Sequence, residues 1–198
     1  FKIIKIPKNK IIISYHGIDH VDKNNFDKEF DLLFVGKFVH YHNLDYVFTL
    51  FYKLEKELGI KYRVVLGDFD NDLKKEIIKK HKLKDNKYLL NNLNNNEVIN
   101  LMKKSKILLF ASSYEACPFT LLEAMRCSCA VVASDAGPNK EILESNGFFY
   151  DIESFEDMYQ KTFDLINDKS KIETIGNKNF YNSNKYTWEK TKDNIMNL

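Results

Sequence analysis

Short apolar and β-branched runs alternate along this chain with longer segments of helical period, and that alternation constrains the fold more than any other feature. Leu32-Leu33-Phe34-Val35, Ile107-Leu108-Leu109-Phe110 and Ala130-Val131-Val132-Ala133 are apolar at every position, not at every second one. Such runs suit strands buried on both faces, as in a parallel sheet covered by helices. Strands are expected over residues 10–15, 31–36, 61–66, 88–90, 107–111, 130–133 and 147–150. Helices are expected over 44–58, 71–81, 96–103, 120–127, 139–144, 155–167, 170–182 and 186–197. The fold class that follows is α/β, one parallel sheet with helices on both faces and right-handed crossovers.

At 198 residues the chain makes one domain, large enough to bury about 70% of the surface its unfolded form exposes. Lys+Arg 30 against Asp+Glu 28 leaves a net charge of +2, which favours neither nucleic acid nor a membrane surface as partner. No apolar run reaches the roughly 18 residues of a transmembrane segment. Cys117, Cys127 and Cys129 are odd in number and close together. That is not a disulfide framework, and a reducing, cytoplasmic compartment is expected. No Cys or His pair beside them completes the four ligands of a zinc site. The chain opens on Phe1 with no signal-peptide pattern, so it reads as an internal piece of something longer.

The loops over 36–43 and 112–119 follow strands, where open α/β sheets bind ligands. A helix starting near Thr120 would present free N–H groups and a positive dipole end to an anion. Lys37 directly follows the strand-end Gly36, and Glu115 and Glu123 flank the helix start. Among thirteen glutamates that spacing is uninformative by itself. A solvated helix start with acidic first turns would look the same. The cluster Asp68-Phe69-Asp70-Asn71-Asp72 imitates the start of a calcium loop. Such a loop needs Gly at its sixth place and Glu at its twelfth, and Leu73 and Lys79 stand there. The cluster therefore reads as a strand-to-helix turn with Asp caps, and no metal is expected. Asn94 or Asn95 can cap the helix that follows them.

The segment from Ser113 to Met125, Ser-Tyr-Glu-Ala-Cys-Pro-Phe-Thr-Leu-Leu-Glu-Ala-Met, resembles the Glu-x7-Glu signature of family 4 retaining glycosyltransferases. That signature is usually written Glu-Gly-Phe-Gly followed by Leu-Leu-Glu-Ala-Met. The likeness continues through Ala130-Val131-Val132-Ala133-Ser134-Asp135-Ala136-Gly137, similar to the family's Pro-Val-Val strand and Ser-Asp-x-Gly. Upstream, Val35-Gly36-Lys37-Phe38 is similar to its Val-Gly-Arg-Leu turn, and Val65-Leu66-Gly67-Asp68 to its Val-Gly-Asp strand end. Tyr15-His16-Gly17-Ile18-Asp19 resembles its interdomain Asn-Gly-Ile-Asp, and Tyr186-Thr187-Trp188-Glu189 its closing Phe-Ser-Trp-Glu. The pieces cover essentially the whole chain in the family's order.

This resemblance implies a GT-B enzyme with two Rossmann-like domains facing across a cleft. The chain would be the C-terminal, donor-binding one, with residues 1–19 as interdomain linker and first strand and 20–198 as a single Rossmann-like domain. The substrate would be a nucleotide-diphosphate sugar, used without cofactor or metal. The acceptor would bind an N-terminal domain absent from this chain, which alone lacks the acceptor half. By the same resemblance Glu115 contacts the transferred sugar and Glu123 holds the ribose hydroxyls. The N–H groups of Phe119 and Thr120 cap the diphosphate, and Lys37, after Gly36, neutralises its charge as it leaves. His42 stands where the family has a second phosphate-binding lysine; the alternative is an exposed loop histidine. Ala116 and Pro118 replace the signature glycines and Cys117 its Phe. The other reading kept open is a non-catalytic nucleotide-sugar binding module, or one subunit of a two-chain transferase.

Overall fold

The computed structural model describes residues 7, 13–23, 26–67, 71–81 and 89–196. Six strands form one sheet: β1 (Phe30–Lys37), β2 (Tyr62–Gly67), β3 (Leu89–Asn91), β4 (Ser105–Phe110), β5 (Ala130–Ser134) and β6 (Gly147–Tyr150). Their order is β3-β2-β1-β4-β5-β6 and every neighbouring pair is parallel. The chain starts mid-sheet, winds outward to β3, returns to β4 beside β1, and winds outward the other way. The crossover direction reverses between β1 and β4, and a crevice opens beyond their carboxyl ends.

The helices are α1 (Leu44–Leu58), α2 (Asn71–Lys80), α3 (Asn95–Lys103), α4 (Phe119–Arg126), α5 (Pro138–Leu143), α6 (Phe155–Ile166), α7 (Lys169–Asn182) and α8 (Trp188–Met196). They cover both faces of the sheet and create two cores. Leu32, Phe34, Phe48, Leu54, Val64 and Met158 fill one. Leu33, Leu108, Leu121, Met125 and Val131 fill the other. Successive residues of β1 thus enter opposite cores, which is why its sequence is apolar without alternation. The α/β class expected from the sequence is the one observed, with most element ends within one or two residues.

Local chemistry sets several starts. Asn94 accepts the Glu97 N–H at 3.1 Å while the Glu97 carboxylate accepts the Asn94 N–H at 2.8 Å, a full capping box for α3. Ser154 and Asp168 cap α6 and α7 in the simpler way.

One expected strand, over 10–15, falls partly outside the described residues. Residues 10–12 lie outside them, and 13–15 form no strand. Among the described residues the sheet edges are β3 and β6, and 13–15 join neither. This segment is held by the C-terminal tail instead. The Ile18 N–H donates to the Tyr186 carbonyl at 3.1 Å, the Thr191 hydroxyl to the Tyr15 carbonyl at 2.8 Å, and the Trp188 indole to Asp19 at 3.1 Å. A Cβ on Gly17 would lie 2.3 Å from the Trp188 nitrogen, so only glycine admits this crossing. Tyr186 and Thr187 pair with this segment, and α8 accordingly starts at Trp188 instead of Tyr186. Asp68, Phe69 and Asp70 of the acidic cluster, and Tyr88, lie outside the described residues. Among the described residues no helix is long and apolar enough to cross a membrane, and no three His, Cys, Asp or Glu side chains converge as metal ligands would.

Candidate functional site

β1 ends at Lys37 and the chain turns through Phe38 and Val39 into a 3-10 turn, His40–His42. Asn43 follows in the left-handed region (φ 47°, ψ 45°), which asparagine tolerates, and α1 begins. This turn folds His42 back onto the strand end. Its Nδ1 lies 2.9 Å from both the N–H and the carbonyl of Lys37, so the ring is pinned in either tautomer. A Cβ on Gly36 would come within 2.8 Å of that Nδ1 and 2.8 Å of the Phe34 ring, so glycine is required for the approach. His42 is only 9% exposed, and the reading of an exposed loop histidine is therefore overturned. With Nδ1 held by the backbone, Nε2 points to Glu115, 3.8 Å from its Oε1.

Glu115 stands on the loop after β4, which is tied down at two points. The Ser113 N–H and hydroxyl both donate to the Tyr41 carbonyl, at 2.8 and 3.2 Å, fastening the loop to the 3-10 turn. The Ser112 carbonyl accepts the Ser134 hydroxyl at 2.5 Å, and the Asn139 amide donates to the Ser134 hydroxyl at 3.0 Å. Sequence reasoning did not assign this buried Ser112–Ser134–Asn139 relay. It has no periodicity of its own, and its signal lay only in small polar residues at two neighbouring strand ends.

Pro118 is the N-cap of α4, with no side-chain cap, so the helix starts one residue before the expected Thr120. The Leu121 and Leu122 N–H groups reach the Pro118 carbonyl at 3.1 and 3.3 Å. The N–H groups of Phe119 and Thr120 precede the helical ladder and face outward, with the positive dipole end behind them. The Phe119 ring is 42% exposed, and His16 stacks on it with centroids 4.7 Å apart.

These elements enclose a cleft of about 440 Å³ to which Gly36, Lys37, His42, Glu115, Phe119 and Thr120 all contribute. Its other half is apolar, from Val65 at the end of β2 and from Leu93 and Val98 around the start of α3. Six of the seven residues expected from the sequence thus meet in one place. Glu123 does not line this cleft. It sits half-buried one turn along α4, where burial holds its carboxyl above the usual range. A hydrogen bond with the Asn95 side chain opposes that shift and the charge of Asp19 adds to it. Cys117 lines the cleft. Cys127 and Cys129 are buried, their thiols pushed well up by desolvation, and they behave as core residues and not as nucleophiles.

The arrangement suits an extended ligand with an anionic middle. The Phe119 and Thr120 amides and the helix dipole are placed to meet an anion, Lys37 and His42 share the same wall, Glu115 is able to accept from hydroxyls, and the apolar half has the character to take a flat ring.

A family model described as "Glycosyl transferases group 1" matches residues 18–180. The chain is 28% identical over 192 residues to the capsular polysaccharide biosynthesis glycosyltransferase CapH of Staphylococcus aureus, covering 92% of this chain and 52% of that one. It spans about half the length of the curated relatives it matches. Among solved structures, a TarM variant from S. aureus in complex with fondaparinux, α-GlcNAc-glycerol and UDP superposes with a TM-score of 0.75 at 18% identity, over 91% of this chain and 38% of TarM. The C-terminal domain of the group 1 glycosyltransferase LpcC from Francisella tularensis superposes at 0.67 with 22% identity, over 87% of this chain and 100% of that domain. At those identities the likeness concerns the fold, a Rossmann-like unit of the GT-B kind.

Proposed function

Since the chain belongs to the group 1 glycosyltransferases, we propose that it is the donor-binding domain of a retaining, metal-independent transferase. It acts on a nucleotide-diphosphate sugar in the cytoplasm, and the acceptor binds an N-terminal domain of the parent protein. The observation that carries this reading is the convergence of the uncapped α4 N-terminus, the Lys37–His42 turn and Glu115 on one cleft at the β1/β4 switch point. The UDP held by TarM and the isolated C-terminal domain of LpcC support the ligand class and the domain assignment.

The diphosphate lies on the Phe119 and Thr120 amides, with Lys37 and His42 beside it. The nucleobase packs in the apolar half between Val65, Leu93 and Val98. Glu123, just beyond the cleft lining, gives up its hydrogen bond with Asn95 to take the ribose hydroxyls, and Glu115, held beside His42, accepts from hydroxyls of the sugar. As the glycosidic C–O bond breaks, negative charge grows on the leaving phosphate oxygen. Pre-placed amides, the dipole and Lys37 stabilise it without reorganising. Catalysis here is electrostatic and positional, with Glu115 engaged on the sugar hydroxyls and not in covalent attack.

Calorimetry with UDP and other nucleoside diphosphates, and with their sugars, tests the assignment. Glu123→Ala weakens free nucleotide by about 1–3 kcal/mol, the worth of charge-assisted hydrogen bonds. Glu115→Ala spares free nucleotide and weakens only the sugar-bearing ligand. Equal effects of both substitutions on both ligands refute the roles.

A further inference from the structure

At the amino ends of the strands, across the sheet from the donor cleft, lies a second hollow of about 420 Å³. Lys23, Lys28, Lys106 and Lys169 line it, with Glu173 as the opposing charge. The eight residues of β1 separate it from the donor cleft, roughly 25 Å at strand rise. We propose that this cavity binds a small phosphate-bearing polyanion, independently of the donor site.

The cationic wall is built, not incidental. The Lys28 ammonium donates to the carbonyls of Ser105 at 2.8 Å, Cys127 at 2.8 Å and Met102 at 3.4 Å. Three carbonyls fix its position and satisfy its donors, yet bring no negative charge to cancel its own. Lys23 is anchored by donating to the Tyr181 hydroxyl at 3.0 Å and lies 4.2 Å from the centre of that ring. Lys106 is held at 2.6 Å by Asp31, which neutralises it. Lys169 opens α7, adding its charge beside the positive end of that helix. After Asp31 and Glu173 the cavity keeps a net positive charge.

Its shape comes from two backbone devices. Ser128 adopts the left-handed region (φ 54°) between α4 and β5 and lines the cavity. Gly176 lets α7 close on that turn, because a Cβ there would fall 2.4 Å from the Ser128 carbonyl oxygen. Ser128 and Asn177 also line the cavity and carry neutral donors, and Ile172 and Phe26 add apolar surface. Ammonium groups gathered around a concave site with neutral donors favour clustered phosphate oxygens over a single carboxylate.

Tripolyphosphate is the probe, titrated by calorimetry into the protein alone and into protein saturated with UDP, with inorganic phosphate as the single-charge comparison. Lys23→Gln/Lys169→Gln should weaken tripolyphosphate at least about tenfold, or about 1.4 kcal/mol. Both side chains are exposed, and an unchanged melting temperature verifies folding. The donor cleft can take up tripolyphosphate as well, so UDP or Lys37→Gln should remove at most one of two binding events and leave the one that is lost in the Lys23/Lys169 double variant. Loss of all binding with UDP or in Lys37→Gln, or equal affinity of the Lys23/Lys169 double variant and the parent, overturns the proposal. So does a failure of tripolyphosphate to bind. If UDP itself does not bind, the lysine variants still decide this site while the donor reading falls separately.

Discussion

Gly36, next to last in β1, and Gly67, last in the paired β2, line the same cleft and should respond to alanine in opposite directions. A Cβ at Gly36 meets His42 Nδ1 at 2.8 Å and the Phe34 ring at 2.8 and 2.9 Å, whereas ordinary contact begins at 3.4 Å. Phe34 is 2% exposed and has no room to retreat, so His42 must move. Moving it lengthens the contact with Lys37, worth about 1 kcal/mol, on top of about 1–3 kcal/mol for overpacking. Replacing a strand glycine returns only about 0.5–1 kcal/mol. Gly36→Ala therefore lowers stability by about 1–3 kcal/mol and weakens UDP, because the imidazole leaves the cleft. A Cβ at Gly67 meets nothing within 4 Å, so Gly67→Ala keeps the gain of about 0.5–1 kcal/mol unopposed. Urea unfolding followed by circular dichroism reads both, provided the m-value is unchanged. A Gly36→Ala protein as stable as the parent would refute the locked imidazole.

Two further outcomes are expected. The folded-state pKa of Glu123 is raised, chiefly by burial, so its protonated form stabilises the fold below the unfolded value of 4.5 and that contribution is lost as pH rises through the folded value. Glu123→Gln should thus gain melting temperature over the parent as pH goes from 4 to 7, and a constant difference over that range would contradict it. Asn94→Ala removes half of the α3 capping box and should cost about 1 kcal/mol in urea unfolding without altering the far-UV spectrum; no loss would mean that α3 is held by packing alone.

The sheet was legible because its chemistry is local. An unbroken apolar run such as Ile107–Phe110 can only be a strand covered on both sides, and helices of the right length stand between such runs. The strand expected over 10–15 cannot be followed through, since 10–12 lie outside the described residues; what the local pattern did not show is that Tyr15 and Ile18 are held by the C-terminal tail, through hydrogen bonds from far along the chain. The acidic pair at α4 was visible as letters and as a family likeness. Its geometry was not: Glu115 stands in the cleft wall, whereas Glu123 sits half-buried one turn along α4, hydrogen-bonded with Asn95 and near the charge of Asp19.

From the sequence alone came the class of fold, the positions of its elements and the two loops that meet at the cleft, since periodicity, caps and strand-end glycines act over a few residues. Only the tertiary structure decided that His42 is buried against Gly36, that Ser112, Ser134 and Asn139 brace the Glu115 loop, and that four lysines from Lys23 to Lys169 gather at the opposite end. Each of those depends on contacts between residues many positions apart. Their approach is set by how strands order in the sheet and how closely helices pack on it, and no local pattern of side chains carries that information.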